Sequence, residues 1–302
     1  MVVRVGFLTH LLWDRYGPFW TTLTRAAGAE VVLPSAAEVV ARLADPRVGV
    51  APAVAFRVAI AAALALEDVD LLVVPELNPA VQDGPGAAQD PWIAALPTML
   101  RRSVPGLPAV WGVPAGLEGP VESPAVTFLH RLTPDAGTVR RAWSQHRAEA
   151  RPPRRRAARE VRAAREVRAA PLGHAATPTV LALCGQAWWA TRRVADLLCG
   201  PGERWVGAHR HDPGALRAEG RRFDPGLIDT DAEALGAVRR SARSAEVAGL
   251  RLVVDGEAGS DLWLARRAEA IAPGKVEVYD LRRHPVPEHV VDALLGGGAD
   301  AS

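Results

Sequence analysis

Short apolar runs alternate with longer stretches of helical periodicity along the first half of the chain. Val3-Arg4-Val5-Gly6-Phe7-Leu8 is a β-branched, apolar run suited to a central parallel strand. A helical pattern follows from about Tyr16 to Ala27, with Gly28 as its stop. Glu30 to Pro34 reads as a second strand. Ser35 then caps a short helix, with Glu38 at the capping-box spacing. Ala53 to Leu66 predicts a buried helix, and Asp70 to Pro75 a third strand. After a Gly/Pro loop, Trp92 to Arg102 predicts one helix and Ala109 to Val113 a strand. Strands alternating with helices specify a parallel sheet covered on both faces.

The grammar restarts after residue 173. Thr179 to Leu183 reads as a strand, Thr191 to Leu198 as a helix and Arg204 to Gly207 as a strand. Asp231 to Ala248 predicts a helix, Leu250 to Asp255 a strand, Ser260 to Ala272 a helix, Val276 to Leu281 a strand and Pro287 to Leu295 a closing helix. Asp70 to Glu76 in the first half matches Leu250 to Glu257 in the second, a weak internal repeat. Between the halves, residues 157–162 and 163–168 repeat the hexad Ala-Ala-Arg-Glu-Val-Arg. High helix propensity and no Gly or Pro after Pro153 predict a helix there, ended by Pro171 and Gly173. The expected class is α/β: two Rossmann-like parallel-sheet domains, at 1–135 and 174–302, joined by a long basic helical connector at 136–173.

Charge sharpens this division. The net charge is +2, yet residues 140–170 carry 11 Arg and 3 Glu, or +8, leaving −6 for the rest. The connector is basic; the protein is not. Residues 144–170 contain no aromatic side chain, so the connector offers no stacking platform for bases and reads as a solvated, domain-bridging helix. Nucleic-acid association through it stays a third reading of function. Two cysteines, Cys184 and Cys199, without a CxxC, are too few for a disulfide framework and read as reduced, buried thiols. Met1 leads straight into a strand-like run, with no signal-peptide pattern, and the apolar run Ala51–Leu66 is short and interrupted by Arg57. A cytoplasmic protein with no membrane contact is the expectation.

The segment Gly6-Phe7-Leu8, Tyr16-Gly17-Pro18-Phe19-Trp20 and Gly28-Ala29-Glu30-Val31-Val32-Leu33 resembles the opening of the 2-hydroxyacyl-CoA dehydratase and activase-associated family. Later landmarks keep the family's order. Val50-Ala51-Pro52 falls where the family has Cys-x-Pro, and Asp70 to Pro75 on its Asp-apolar-Pro strand. Asp90-Pro91, then Leu96-Pro97-Thr98-Met99-Leu100-Arg101 and Pro105-Gly106-Leu107-Pro108, resembles its Cys-Pro, Leu-Pro-x-x-x-Arg, Pro-x-Leu-Pro series. Ala258-Gly259-Ser260-Asp261 resembles a Cys-Gly-Pro-Asp turn. The resemblance implies radical dehydration of a 2-hydroxyacyl-CoA, or a linked reductive role, on iron held by thiolates. The three cysteine positions hold no cysteine here, so no cluster residue carries over. The expectation is a cluster-free relative, with no cofactor and no metal, acting as a scaffold or small-ligand-binding protein. An enzyme of altered chemistry on an acyl-CoA-like substrate in an interdomain cleft is the runner-up.

Ligands of parallel sheets gather at the carboxyl ends of the strands. Those ends carry Thr9-His10, Glu76-Leu77-Asn78 and Asp255-Gly256-Glu257, with Asp261 one turn on. Thr9, His10, Glu76, Asn78, Asp255, Glu257 and Asp261 are therefore the candidate ligand-binding residues. Glu76 and Glu257 are candidates for a carboxylate pair across a cleft, although capping of the following helices is the preferred reading of such acids. His10 is a candidate general base. His209-Arg210-His211-Asp212 has metal- or phosphate-site composition but reads better as a solvated loop. No phosphate-binding glycine motif and no Gly-x-Ser-x-Gly occurs, and Gly259-Ser260-Asp261 reads as a helix cap. Trp13, Trp20, Trp188 and Trp189 sit near the starts of equivalent helices, where they either line a cleft or pack the core.

Overall fold

The computed structural model describes residues 2–49, 51–78, 90–117, 120–150, 179–207 and 211–283. The described residues up to 150 form one compact unit and those from 179 onward a second. Each is an α/β unit built on a four-stranded parallel sheet.

The first unit runs β1 (Arg4–Phe7), α1 (Trp13–Ala26), β2 (Glu30–Val32), α2 (Ala36–Arg42), α3 (Val54–Ala65), β3 (Leu71–Glu76), α4 (Pro91–Ala94), α5 (Leu96–Ser103), β4 (Ala109–Pro114), α6 (Glu122–Leu132) and α7 (Ala136–His146). The sheet order is β2-β1-β3-β4. Val5 pairs with both Val31 and Leu71, so β1 is central. Alternation sorts the strands between two layers. Val5, Phe7, Leu71, Val73 and Val113 pack with Trp20, Leu23, Phe128 and Val139 of α1, α6 and α7. On the other face, Gly6 lies against Leu66 and Val69 at the end of α3. α3 is buried almost all round, as its apolar sequence requires.

Two expectations change in this unit. The single helix expected over Trp92–Arg102 is two, broken at Ala95 (φ −142°). Pro97 has no N–H to donate, and its ring would meet the carbonyl of Ile93 in a continuous helix. The connector expected to begin at 136 does not begin there. Residues 136–146 form α7, whose Val139 and Ala142 are buried in the first unit's core, with Trp143 beside them. Asp135 caps this helix through Gly137 N and Thr138 N. The repeated Arg-rich hexads and the closing helix at 287–295 lie outside the described residues. The capping box at Ser35 and Glu38 forms as the spacing predicts.

The second unit runs β5 (Thr179–Gly185), α8 (Arg192–Leu198), β6 (Glu203–Gly207), α9 (Pro213–Phe223), α10 (Asp229–Ala242), β7 (Gly249–Val254), α11 (Gly259–Ile271) and β8 (Val276–Asp280). Its order, β6-β5-β7-β8, repeats that of the first sheet. The core joins Ala182, Cys184, Leu250, Leu252 and Val254 to Leu235 and Val238 of α10 and Leu264 and Ala268 of α11. α9 is a helix where the sequence reads as loop. Asp212-Pro213-Gly214 resembles a turn, but Asp212 accepts from Ala215 N at 2.9 Å and Pro213 takes the first helical position. α9 and α10 meet backbone to backbone. A Cβ on Gly220 would overlap the Ala232 carbonyl oxygen, and one on Gly236 the Leu216 carbonyl oxygen. Of the two thiols, Cys184 is buried as expected and Cys199 is exposed. Burial pushes the Cys184 thiol up to about 12. No helix among the described residues is long and apolar enough to cross a membrane.

Candidate functional site

The winding of each sheet fixes where a ligand would sit. In the first unit the chain leaves β1 toward β2 over one face and reaches β3 over the other. The carboxyl ends of β1 and β3 therefore part helices to opposite sides, the topological switch point. β5 and β7 are the equivalent pair in the second unit. Thr9, His10, Glu76 and Asn78 lie just past or at the first pair of ends, and Asp255 and Glu257 just past the second. Buried polar side chains collect at the same places: Thr9, His10 and Asn78 in one unit, Gln186, Asp231, Asp255 and Asp261 in the other.

In the second unit these groups bind one another. Asp261 Oδ2 accepts from Asp255 N at 2.7 Å and from Trp189 Nε1 at 3.1 Å. Asp255 Oδ1 accepts from Arg282 Nε at 2.8 Å, and Glu257 pairs with the same guanidinium at 2.6 Å. Gln186 Nε2 donates to Asp231 Oδ1 at 2.7 Å. The capping reading of these acids is thus corrected: the N-cap of α11 is Ala258, which has no side-chain cap, and Asp261 reaches back to the strand end instead. Geometry explains this, because a carboxylate one turn into the helix meets the backbone N–H released where β7 ends. Asp261→Ala leaves two buried donors without their acceptor. Expected is a loss of about 2 kcal/mol in stability, read from denaturant unfolding of the full chain.

The first unit is arranged differently. Among the described residues, Thr9 Oγ1 and both ring nitrogens of His10 have no hydrogen-bond partner, although Thr9 is 1% and His10 4% exposed. Burial pulls the His10 imidazole down to about 3. The backbone of Ala55, in the first turn of α3, opposes that shift but is not placed for a hydrogen bond. His10 is therefore neutral at pH 7 and a weak base there. Glu76 is half-buried over β4, where a Cβ on Gly112 would meet its carboxyl. Desolvation raises its pKa. Asn78 donates to Ile93 O of α4 at 3.2 Å, and Trp92 of α4 stacks on Phe56 of α3 at 5.8 Å between ring centroids. The β1 loop, α3, α4 and the end of β3 are thereby linked around one place.

The loop itself is held under strain. Leu12 has φ 60° and ψ 28°, the left-handed region that a branched side chain occupies at a cost of about 1–3 kcal/mol. The Tyr16 hydroxyl donates to Leu8 O and fixes the loop's other end. Trp13 and Trp20 belong to the core, with Trp20 edge-on to Phe128 at 5.5 Å, so they do not line a cleft. Trp188 and Trp189 are also buried. Glu76 and Glu257 each sit within their own unit, at its switch point. Asp212 is a helix cap, while residues 208–210, with His209 and Arg210, lie outside the described residues.

Sequence reasoning passed over Gln186, Asp231 and Arg282, which complete the second cluster, and Arg57. Arg57 is the one charged residue of α3 and was visible as the break in an apolar run. Its Nε is buried without a partner among the described residues. Among those residues no group of three or more His, Cys, Asp and Glu is placed to hold a metal ion. The fold and sites define a protein of two repeated parallel α/β units, compatible with two Rossmann-like domains. Comparison with family models, curated proteins and solved structures finds no match.

Proposed function

We propose that the chain is a small-ligand-binding protein that takes its ligand at the β1–β3 switch point of the first unit. We further propose that it is a relative of the 2-hydroxyacyl-CoA dehydratase and activase-associated proteins in which the iron–sulfur centre has been lost. One observation carries the binding reading. Thr9 and His10 are buried polar groups with no hydrogen-bond partner among the described residues, held at the strand ends by a strained loop, whereas Asp255 and Asp261 of the second unit are tied to their neighbours. A buried donor or acceptor left unmatched costs about 1–3 kcal/mol, and a ligand that pairs it recovers that cost. The lost-centre reading is supported by the residues at the family's cysteine positions. Val50 lies outside the described residues, Ala258 is buried at the start of α11, and Asp90 precedes α4. None offers a thiolate.

Acid catalysis at Glu76 is a second reading, favoured by its desolvated carboxyl. The neutral His10 makes binding the stronger one. The test is thermal unfolding with a panel of acyl-CoA esters, nucleotides and divalent cations. A ligand at about 100 times its Kd adds about 2.7 kcal/mol to the folded state. Expected is a shift with at least one small organic ligand that is lost in Glu76→Ala, together with iron-free, colourless protein. No shift anywhere in the panel, or stoichiometric iron, contradicts the reading.

A further inference from the structure

α3 carries the charge that the switch point otherwise lacks. The chain enters α3 after β2 and α2 and leaves it toward β3, so its first turn lies at the carboxyl end of the sheet. That turn has no side-chain cap, since its N-cap residue is Ala53. Arg57 N makes the helix's opening hydrogen bond to Ala53 O at 2.9 Å, which sets the Arg57 side chain at the end of this turn. The helix dipole and the guanidinium therefore present positive charge at the same end. Among the described residues no carboxylate pairs with Arg57, whereas in the second unit Arg217 and Arg221 pair with Asp229, and Arg239 and Arg243 with Glu219. Thr9 and His10, buried and without a hydrogen-bond partner in ordinary geometry among the described residues, complete the set, and His10 lies against the backbone of Ala55.

We propose that the first unit binds an oxyanion, a carboxylate or phosphate group of a small molecule, between the first turn of α3 and the loop after β1, with Arg57, His10 and Thr9 as its contacts. This rests on the reading of the switch point as a ligand site and names the chemistry recognised there. The Thr9 hydroxyl and one imidazole N–H supply neutral donors, and Arg57 supplies a charged fork. Glu76 stands at the carboxyl end of β3, and desolvation raises its pKa.

The full chain is titrated with sodium phosphate and with sodium acetate, against sodium chloride at matched ionic strength, by calorimetry and thermal unfolding. Saturable binding of phosphate, acetate or both is expected, and the pattern says which oxyanion the site prefers. Arg57→Gln is expected to weaken binding by about tenfold or more, since a charge-assisted hydrogen bond contributes about 1.5–3 kcal/mol. Arg57→Lys retains part of it, and Thr9→Val weakens it several-fold. Unchanged circular dichroism in Arg57→Gln separates lost binding from lost folding. Binding of neither anion, or binding indifferent to Arg57→Gln and Thr9→Val, overturns the proposal. If a panel ligand acts through Glu76 while both anions are inert, the oxyanion inference fails and the ligand site stands. If phosphate binds through Arg57 while the panel is silent, the switch point is an oxyanion site and the reading of it as a site for the panel's organic ligands fails.

Discussion

Acidification is expected to destabilise the wild-type chain more than its His10→Gln variant, with the difference growing as pH falls from 6.5 toward 3. The imidazole is held neutral by burial, with a folded pKa of about 3 against 6.5 in the open chain. Below 6.5 the unfolded state takes a proton that the folded state refuses. Stability linked to His10 is thus fully present above 6.5, is lost progressively below it and levels off below 3. The full span is on the order of 5 kcal/mol, at 1.36 kcal/mol per pKa unit. That is a large share of the 5–15 kcal/mol typical of a domain. Carboxylates with lowered pKa, such as Asp45 and Glu219, also lose stability in acid, but they do so in both proteins and cancel in the difference. Denaturant unfolding of both chains between pH 7 and 4 measures it. A difference that stays flat over that range means that His10 is solvated or paired, and the candidate site would lose its most unusual member.

The Gly220→Ala/Gly236→Ala double variant is expected to cost up to about 4 kcal/mol in the second unit. Each glycine faces a carbonyl of the other helix so closely that a methyl group has no room. Backbone cannot rotate away as a side chain can, so α9 and α10 must separate. Overpacking of this kind costs about 1–3 kcal/mol per site. The helix propensity gained from alanine, about 1 kcal/mol per site, offsets only part of the clash. The two sites share one contact, so their costs need not add, and the single variants measure the coupling. Moving α10 also disturbs Asp231, which receives the Gln186 amide. A double variant that melts like wild type contradicts the close crossing.

Much of the architecture follows from local pattern. Apolar runs mark the inner strands β3 and β7 most clearly, because a parallel strand buried on both faces has no polar side to confuse the pattern, whereas the edge strands β2, β6 and β8 carry polar, partly exposed positions. The repeat of strand order was foreshadowed by the match of Asp70–Glu76 with Leu250–Glu257. The errors came where one signal has two meanings. Asp212-Pro213-Gly214 is both a turn and a helix start, and only the packing of α9 on α10 decides. Basic residues after 139 masked the buried Val139 and Ala142, which bind α7 to the first core. The candidate residues at strand ends were legible from topology alone. Their differing fates were not, since the tie of Asp261 to Trp189 and Asp255 spans 72 and 6 residues, and the isolation of Thr9 and His10 is a matter of three-dimensional neighbours.

The central claim is that the unmatched polar groups at the first sheet's switch point hold a small molecule. Native mass spectrometry of the chain purified from its own cells reads this directly. The account predicts a small-molecule adduct, free of iron and sulfide, that is reduced in Thr9→Val. An iron–sulfur adduct, or a small-molecule adduct that survives Thr9→Val unchanged, contradicts it.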